Sequence, residues 1–210
     1  MPEGTPTYLL TTTARIKTML GIDVSNHDTL LNRLIIEISD FIENYCGRRF
    51  MESEYQELVS FDRQKNSYIF TKQVPIITVT KIQWRAGTVN DPQYQDIPVT
   101  DYAVEGDGKS GIIKVDGGWL YQGTNVVRVG YTAGYKISFD DFGSGNHTLP
   151  GDISAVCEAM VITRFKRRES EGKQSESASV SGGGSLTWIN DITKENREIL
   201  DRYVRQAPFN

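Results

Sequence analysis

The chain reads as an α+β protein, a small helical bundle with an inserted antiparallel β subdomain. Two changes of period predict it. Over residues 1–53, and again over 136–210, apolar side chains recur every three or four positions, the repeat of one helix face. Over 54–135 the residues alternate among Val, Ile, Thr and Tyr, the repeat of half-buried strands. Punctuation is the third observation. Gly106 Asp107 Gly108, Asp116 Gly117 Gly118 and Gly123 Thr124 Asn125 supply tight turns between the alternating runs. Connections that short make neighbouring strands antiparallel, because a parallel pair needs a long crossover.

A first helix is predicted over 12–20: the threonine run caps its start, Ile16, Met19 and Leu20 share a face, and Gly21 closes it. A second begins near Asp28, with Ser25 or Asp28 as cap. Leu31, Leu34, Ile35, Ile38, Phe41, Ile42 and Tyr45 form its buried face. Gly47 stands where a helix needs a left-handed closing residue, and Arg48 and Arg49 are expected beside the last carbonyls, at the negative end of the dipole. Strands are predicted at 55–61, 67–71, 76–84, 94–97, 102–105, 111–115 and 126–131. Pro150 Gly151 Asp152 opens a third helix. Its stripe of Ile153, Val156, Cys157, Met160, Val161 and Phe165 runs out into Arg164, Lys166, Arg167 and Arg168. Residues 170–187, rich in Ser, Gly, Glu and Lys, read as a flexible loop. A last helix carries Trp188, Ile192, Ile199, Leu200, Tyr203 and Val204, capped near Asp191 or Thr193 and ended by Pro208.

Composition narrows the function classes. With 210 residues, 38% hydrophobic and 24% charged, the chain can bury a real core as one domain, or as one carrying an inserted subdomain. No apolar run reaches bilayer length, so no membrane partner is expected. The opening Met1 Pro2 Glu3 Gly4 Thr5 Pro6 lacks the layout of an export signal. Cys46 and Cys157, inside apolar helical patterns, are expected as buried free thiols. The net charge of −4 argues against a free-standing nucleic-acid binder.

Catalytic signals are weak. Gly108 Lys109 Ser110 imitates a nucleotide loop, but Ala103 stands at its first glycine and a strand follows where a helix is required. His27 and His147 have no motif that supplies a nucleophile or a metal partner. Asp101, Glu105, Asp107 and Asp116 lack the spacing of a calcium loop. Asn146 His147 Thr148 matches a glycosylation sequon only by chance in a chain without an export signal. No catalytic residue, metal or cofactor is assigned, and no enzyme is expected. The basic cluster has two readings that charge alone does not separate: a solvated helix end, or an electrostatic contact with DNA phosphates or an acidic partner.

Read in order, several strings resemble one family. They are Thr12 Thr13 Ala14 Arg15 Ile16 Lys17 with Leu20 Gly21 Ile22 Asp23, Asp28 Thr29 Leu30 Leu31 with Leu34 Ile35, and Phe41 Ile42 Glu43 with Tyr45 to Phe50. Val74 Pro75 Ile76 Ile77 Thr78 Val79 Thr80 Lys81 Ile82, Asp101 Tyr102 Ala103 Val104, Val129 Gly130 Tyr131 Thr132 Ala133 Gly134 Tyr135 and Leu149 Pro150 Gly151 Asp152 Ile153 follow. In this order they are similar to tailed-bacteriophage head-tail connector proteins, the neck adaptors also called head-completion proteins. The long 136–148 loop and Gly182 Gly183 Gly184 depart from the pattern. The resemblance implies a non-enzymatic ring subunit, typically one of twelve copies, beneath the portal in the virion neck. It implies that the protein is made in the host bacterial cytoplasm. Portal, the next neck or tail-completion protein and further copies of itself are its implied partners, with packaged DNA passing through the channel without sequence-specific binding. Partner or channel contact candidates are Arg164, Lys166, Arg167, Arg168, Ser181, Gly182, Gly183, Gly184, Trp188, Tyr203, Arg205 and Phe209. A rival reading, a β-rich module recognising a glycan or host surface, would use Trp84, Trp119 and Tyr121.

Overall fold

A computed structural model describes residues 9–61, 68–88, 90–116, 123–139, 147–171 and 192–205. The chain divides into two compact units. One takes the chain through Gly47 and Ile137–Val204 and is helical; the other takes Arg48–Lys136 and the chain from Arg205 and is built of strands. The class is α+β, as the two periods predict.

The helical unit holds α1 (Thr13–Leu20), α2 (Asp28–Cys46), α3 (Gly151–Glu171) and α4 (Lys194–Asp201). Thr12 caps α1 through its hydroxyl, which accepts from the Arg15 N–H. The expected cap of α2 is replaced. Ser25–His27 form a single 3₁₀ turn that leads straight into the helix, with His27 at the cap position and no side-chain bond. The Asp28 N–H donates to the Ser25 carbonyl, and the Asp28 carboxylate pairs with Lys17 at 2.9 Å. At the far end Gly47 has φ 64°, the left-handed close expected of it.

Leu31, Ile35, Ile38 and Ile42 of α2 are fully buried, as are Ile153, Val156, Cys157, Met160 and Val161 of α3, and the two helices pack together. Each such side chain contributes about 1.5–3 kcal/mol by leaving water. A polar seam runs through this core. Buried Glu158 accepts from the Thr11 hydroxyl at 2.8 Å and from Arg15 Nε at 2.7 Å, and the Ser39 hydroxyl accepts from the Leu10 N–H at 3.1 Å. Helix α4 is capped by Thr193 and ends at Asp201. It stops short of Tyr203, whose hydroxyl donates to both oxygens of Asp152, at 2.8 and 2.9 Å.

Both cysteines are buried and free. Burial pushes the Cys157 thiol up to about 12, against the opposing effect of its contact with the Ser39 hydroxyl. Because the folded value lies above the unfolded one, this group's contribution is intact below the unfolded value and is lost as pH rises towards 12. Alkaline destabilisation of up to about 1.4 kcal/mol per pH unit is therefore expected from this thiol alone. Urea titrations at a series of alkaline pH values should give a shallower loss for Cys157→Ala than for the parent. Identical slopes would count against the thiol.

In the β unit, β1 (Ser53–Phe61), β7 (Gly123–Ala133), β3 (Ile76–Arg85) and β4 (Tyr94–Asp96) form one sheet in that order. A second sheet has the order β2 (Tyr68–Phe70), β6 (Ile112–Val115), β5 (Tyr102–Val104). Every strand pair is antiparallel. Only β3 with β4 and β5 with β6 are neighbours in sequence, however. The centre of the larger sheet goes to β7, which is longer than its apolar run suggests and buries Val127, Val129, Tyr131 and Ala133 on one face. The outward face, with Arg128 and Thr132, is less buried. Ile69, Ile113 and Val115 of the smaller sheet join Ile76, Ile82 and the β7 residues in one core. The β unit is closed at its base by a parallel bridge between Met51 and Tyr135. The Tyr135 N–H donates to the Phe50 carbonyl at 2.7 Å and the Glu52 N–H to the Tyr135 carbonyl at 2.9 Å.

Candidate functional site

The basic cluster lies on the last turns of α3. Its members do not act alike, because the 3.6-residue repeat turns each to a different direction. Arg164 points back along the apolar stripe to α2 and pairs with Glu37 at 3.7 Å. Glu37 also accepts from Arg33 Nε at 2.8 Å, so an arginine far away in sequence joins the patch. Periodicity on α2 puts Arg33 off the buried face and one helical turn from Glu37, but nothing in its neighbourhood indicates that Glu37 is shared with Arg164. Lys166, Arg167 and Arg168 are exposed. The Arg168 guanidinium lies 5.1 Å from the centre of the Phe165 ring, and the edge of His27 meets the same ring at 5.3 Å. A solvent-facing set of cations on a helix end can dock an anionic surface.

Tyr203 and Arg205 have internal partners. Tyr203 is bonded to Asp152 inside the helical unit. Arg205 belongs to the β unit, where its Nη1 donates to the Ser110 carbonyl at 3.1 Å and its Nη2 to the Thr71 carbonyl at 2.6 Å. Burial, and then the nearby Arg48 charge, hold the Arg205 guanidinium below its ordinary value. Ser181, Gly182, Gly183, Gly184, Trp188 and Phe209 lie outside the described residues, as does most of the 170–187 segment.

Arg48, expected at the carbonyls of the α2 end, is placed otherwise. Its side chain is buried, with the guanidinium 4.8 Å from the Phe50 ring centre and 5.6 Å from that of Tyr135. Those two rings stack 6.4 Å apart. The attraction of a weakly hydrated guanidinium to aromatic faces outweighs what it would gain from exposed carbonyls. The sequence offers Arg48 and Phe50 as neighbours but gives no hint that Tyr135 closes the cluster.

The remaining sequence candidates are dispersed. Trp84 packs against the β core, while Trp119 and Tyr121 lie outside the described residues. The His147 ring meets Phe139 at 5.1 Å and accepts from the Ser138 N–H at 3.2 Å. Among the described residues no three His, Cys, Asp or Glu side chains are grouped to hold a metal ion, and no helix is long and apolar enough to cross a membrane.

Comparison with known proteins gives two positive results. A family model described as "Head completion protein" matches residues 9–206. No curated protein matches. Among solved structures the chain is similar to one from the neck of an empty gene transfer agent particle computed with C6 symmetry. The TM-score is 0.59 at 13% identity, covering 100% of this chain and 95% of that one. It is similar also to a chain from the neck of the native particle computed with C12 symmetry, with TM-score 0.53 and 15% identity over 93% of this chain and 89% of that one. A chain of the native gene transfer agent virion gives TM-score 0.59 and 14% identity over 100% and 98%. At such identities the likeness is one of fold.

Proposed function

The chain belongs to the head completion protein family, and we propose that it forms a ring beneath the portal which extends the DNA channel and joins the filled head to the tail. The coarser part of that statement needs no proposal: a head completion protein is a structural component of the virion, at the head-tail neck, and not an enzyme. The observation that supports the finer part is the fold shared over 100% and 93% of the chain with chains from necks computed with C6 and C12 symmetry. Twelve copies is the stoichiometry this favours. The ring's partners are the portal on one side and the next neck or tail-completion protein on the other.

Charge supports a passive channel. A net charge of −4 gives the protein no overall attraction for DNA, in keeping with packaged DNA that passes without being held. Lys166, Arg167 and Arg168, on a rigid helix end, are the proposed electrostatic contact with an acidic portal surface.

Native mass spectrometry or particle imaging of the chain mixed with its portal should show a closed ring. Reversing the three cations together (Lys166→Glu, Arg167→Glu, Arg168→Glu) should leave helix content intact and weaken portal association by about 10- to 100-fold, with a reduced salt dependence. A chain that stays monomeric and shows no portal affinity at any salt concentration would remove the ring. Unchanged association in the triple variant would move the contact elsewhere.

A further inference from the structure

The larger sheet has two open ends. Among the described residues no strand pairs with β1 beyond β7, and none with β4 beyond β3. An edge strand presents a row of unused N–H and carbonyl groups, and proteins guard such edges by shortness, proline or lysine. β4 is guarded, being three residues long between Pro92 and Pro98. β1 runs for nine residues with neither proline nor lysine.

Hydrogen bonds fix what each edge presents. The Ile97 N–H donates to the Ile82 carbonyl at 2.9 Å and the Ala86 N–H to the Gln93 carbonyl at 2.7 Å. Ile82, Trp84 and Ala86 therefore turn their backbone to β4, and on β4 the intervening Tyr94 and Asp96 turn theirs outward. Gln83 then faces β7, opposite Arg128, so Arg128 turns to β3 and its other neighbour, Leu58, turns its backbone away from β7. Gln56, two residues along, does the same. The side chains share a face. The Arg128 guanidinium lies 3.8 Å from the centre of the Tyr94 ring, and Leu58, opposite Arg128, is 49% exposed on that side.

Four strands, each antiparallel to the next, leave β1 and β4 running in opposite directions. A second copy set with its β4 against β1 of the first continues the antiparallel order, and the step can repeat. Such a contact is head-to-tail, the kind that closes into a ring, whereas β1 against β1 would stop at a dimer. We propose that β1 of one copy pairs with β4 of the next, with Leu58 opposite the partner's Tyr94. This contact rests on the ring reading and names its lateral surface.

Side chains select the register. It sets Leu58 against an aromatic ring and Gln56 against Asp96, whose carboxylate can accept from the amide. Sliding two residues one way opposes Glu54 to Asp96, two like charges, and two residues the other way opposes Leu58 to Asp96. A slip of one residue puts the pairs on opposite faces.

The test uses the full chain assembled on portal. Ser60→Cys and Pro92→Cys, at exposed positions that stand opposite each other across the proposed junction, are combined in one chain and treated with a short bismaleimide. Cys46 and Cys157 are buried. The double variant should give a ladder of covalent oligomers on a denaturing gel, rising beyond the dimer, while neither single variant passes the dimer. Leu58→Asp should leave the Tm of the unassembled chain within about 2 °C and lower the yield of rings about tenfold. Should one of these variants not fold, the other decides. Particle imaging of the same samples separates the two readings. Parent rings that give no ladder, or a full yield of rings in Leu58→Asp, would overturn the edge pairing and leave the ring standing. Absence of rings in the parent would overturn both.

Discussion

Gly108→Ala is expected to cost the β unit about 3 kcal/mol or more, a large share of a typical domain's stability. Gly108 has φ +76°, and a Cβ placed there would stand 2.0 Å from the Ile76 carbonyl oxygen and 2.9 Å from its carbonyl carbon. Both are backbone atoms of β3, so no rotamer can make room. Gly47→Ala provides the control. Its φ is +64°, but nothing lies within 4 Å of the added carbon, leaving only the left-handed penalty of about 1 kcal/mol. Urea denaturation of both variants, with hydrogen exchange of β3 amides, separates collision from conformational penalty. Equal losses would mean that β3 yields and the close approach is unimportant.

Arg15→Met should lower the stability of the helical unit by about 2–3 kcal/mol. Glu158 is 4% exposed, and without Arg15 its charge would retain only the Thr11 hydroxyl among its hydrogen bonds of known geometry. Breaking a buried pair from one side typically costs about 3–5 kcal/mol; the arginine side chain is 35% exposed, which reduces the figure. Glu158→Gln should be milder, near 1 kcal/mol, because the amide oxygen still accepts from both partners and the guanidinium reaches water. A milder effect of Arg15→Met than of Glu158→Gln in thermal melts would contradict this account of the seam.

The helices were legible because each carries its own signals: the stripe on α2 and α3, the Thr12 and Thr193 caps, the glycine after Cys46. Strand existence was legible too, from alternation and turn residues. Pairing was not. Nothing local in Ser53–Phe61 says that it lies against Gly123–Ala133 rather than against the strand that follows it, since alternation defines a face and not a neighbour. The candidate site divides the same way. The cluster at Arg164, Lys166, Arg167 and Arg168 is contiguous and visible, whereas Arg164 with Glu37, or Arg48 with Phe50 and Tyr135, come together only through tertiary packing. The misjudged caps at Ser25 and Asp28 and the misjudged role of Arg48 share a cause. Local rules describe a helix end in isolation, and here a 3₁₀ turn and two aromatic rings compete for the same groups.

The bridge at Met51 and Tyr135 bears on how the chain tolerates change. Two backbone hydrogen bonds hold the entry and exit of the strand region side by side. From the helices' standpoint, the segment between Phe50 and Tyr135 closes over a gap no wider than that of a tight turn, and the entropy of closing so long a segment is borne within the β unit itself. A turn between those residues can therefore lengthen or shorten while the bridge that closes the segment stays in place.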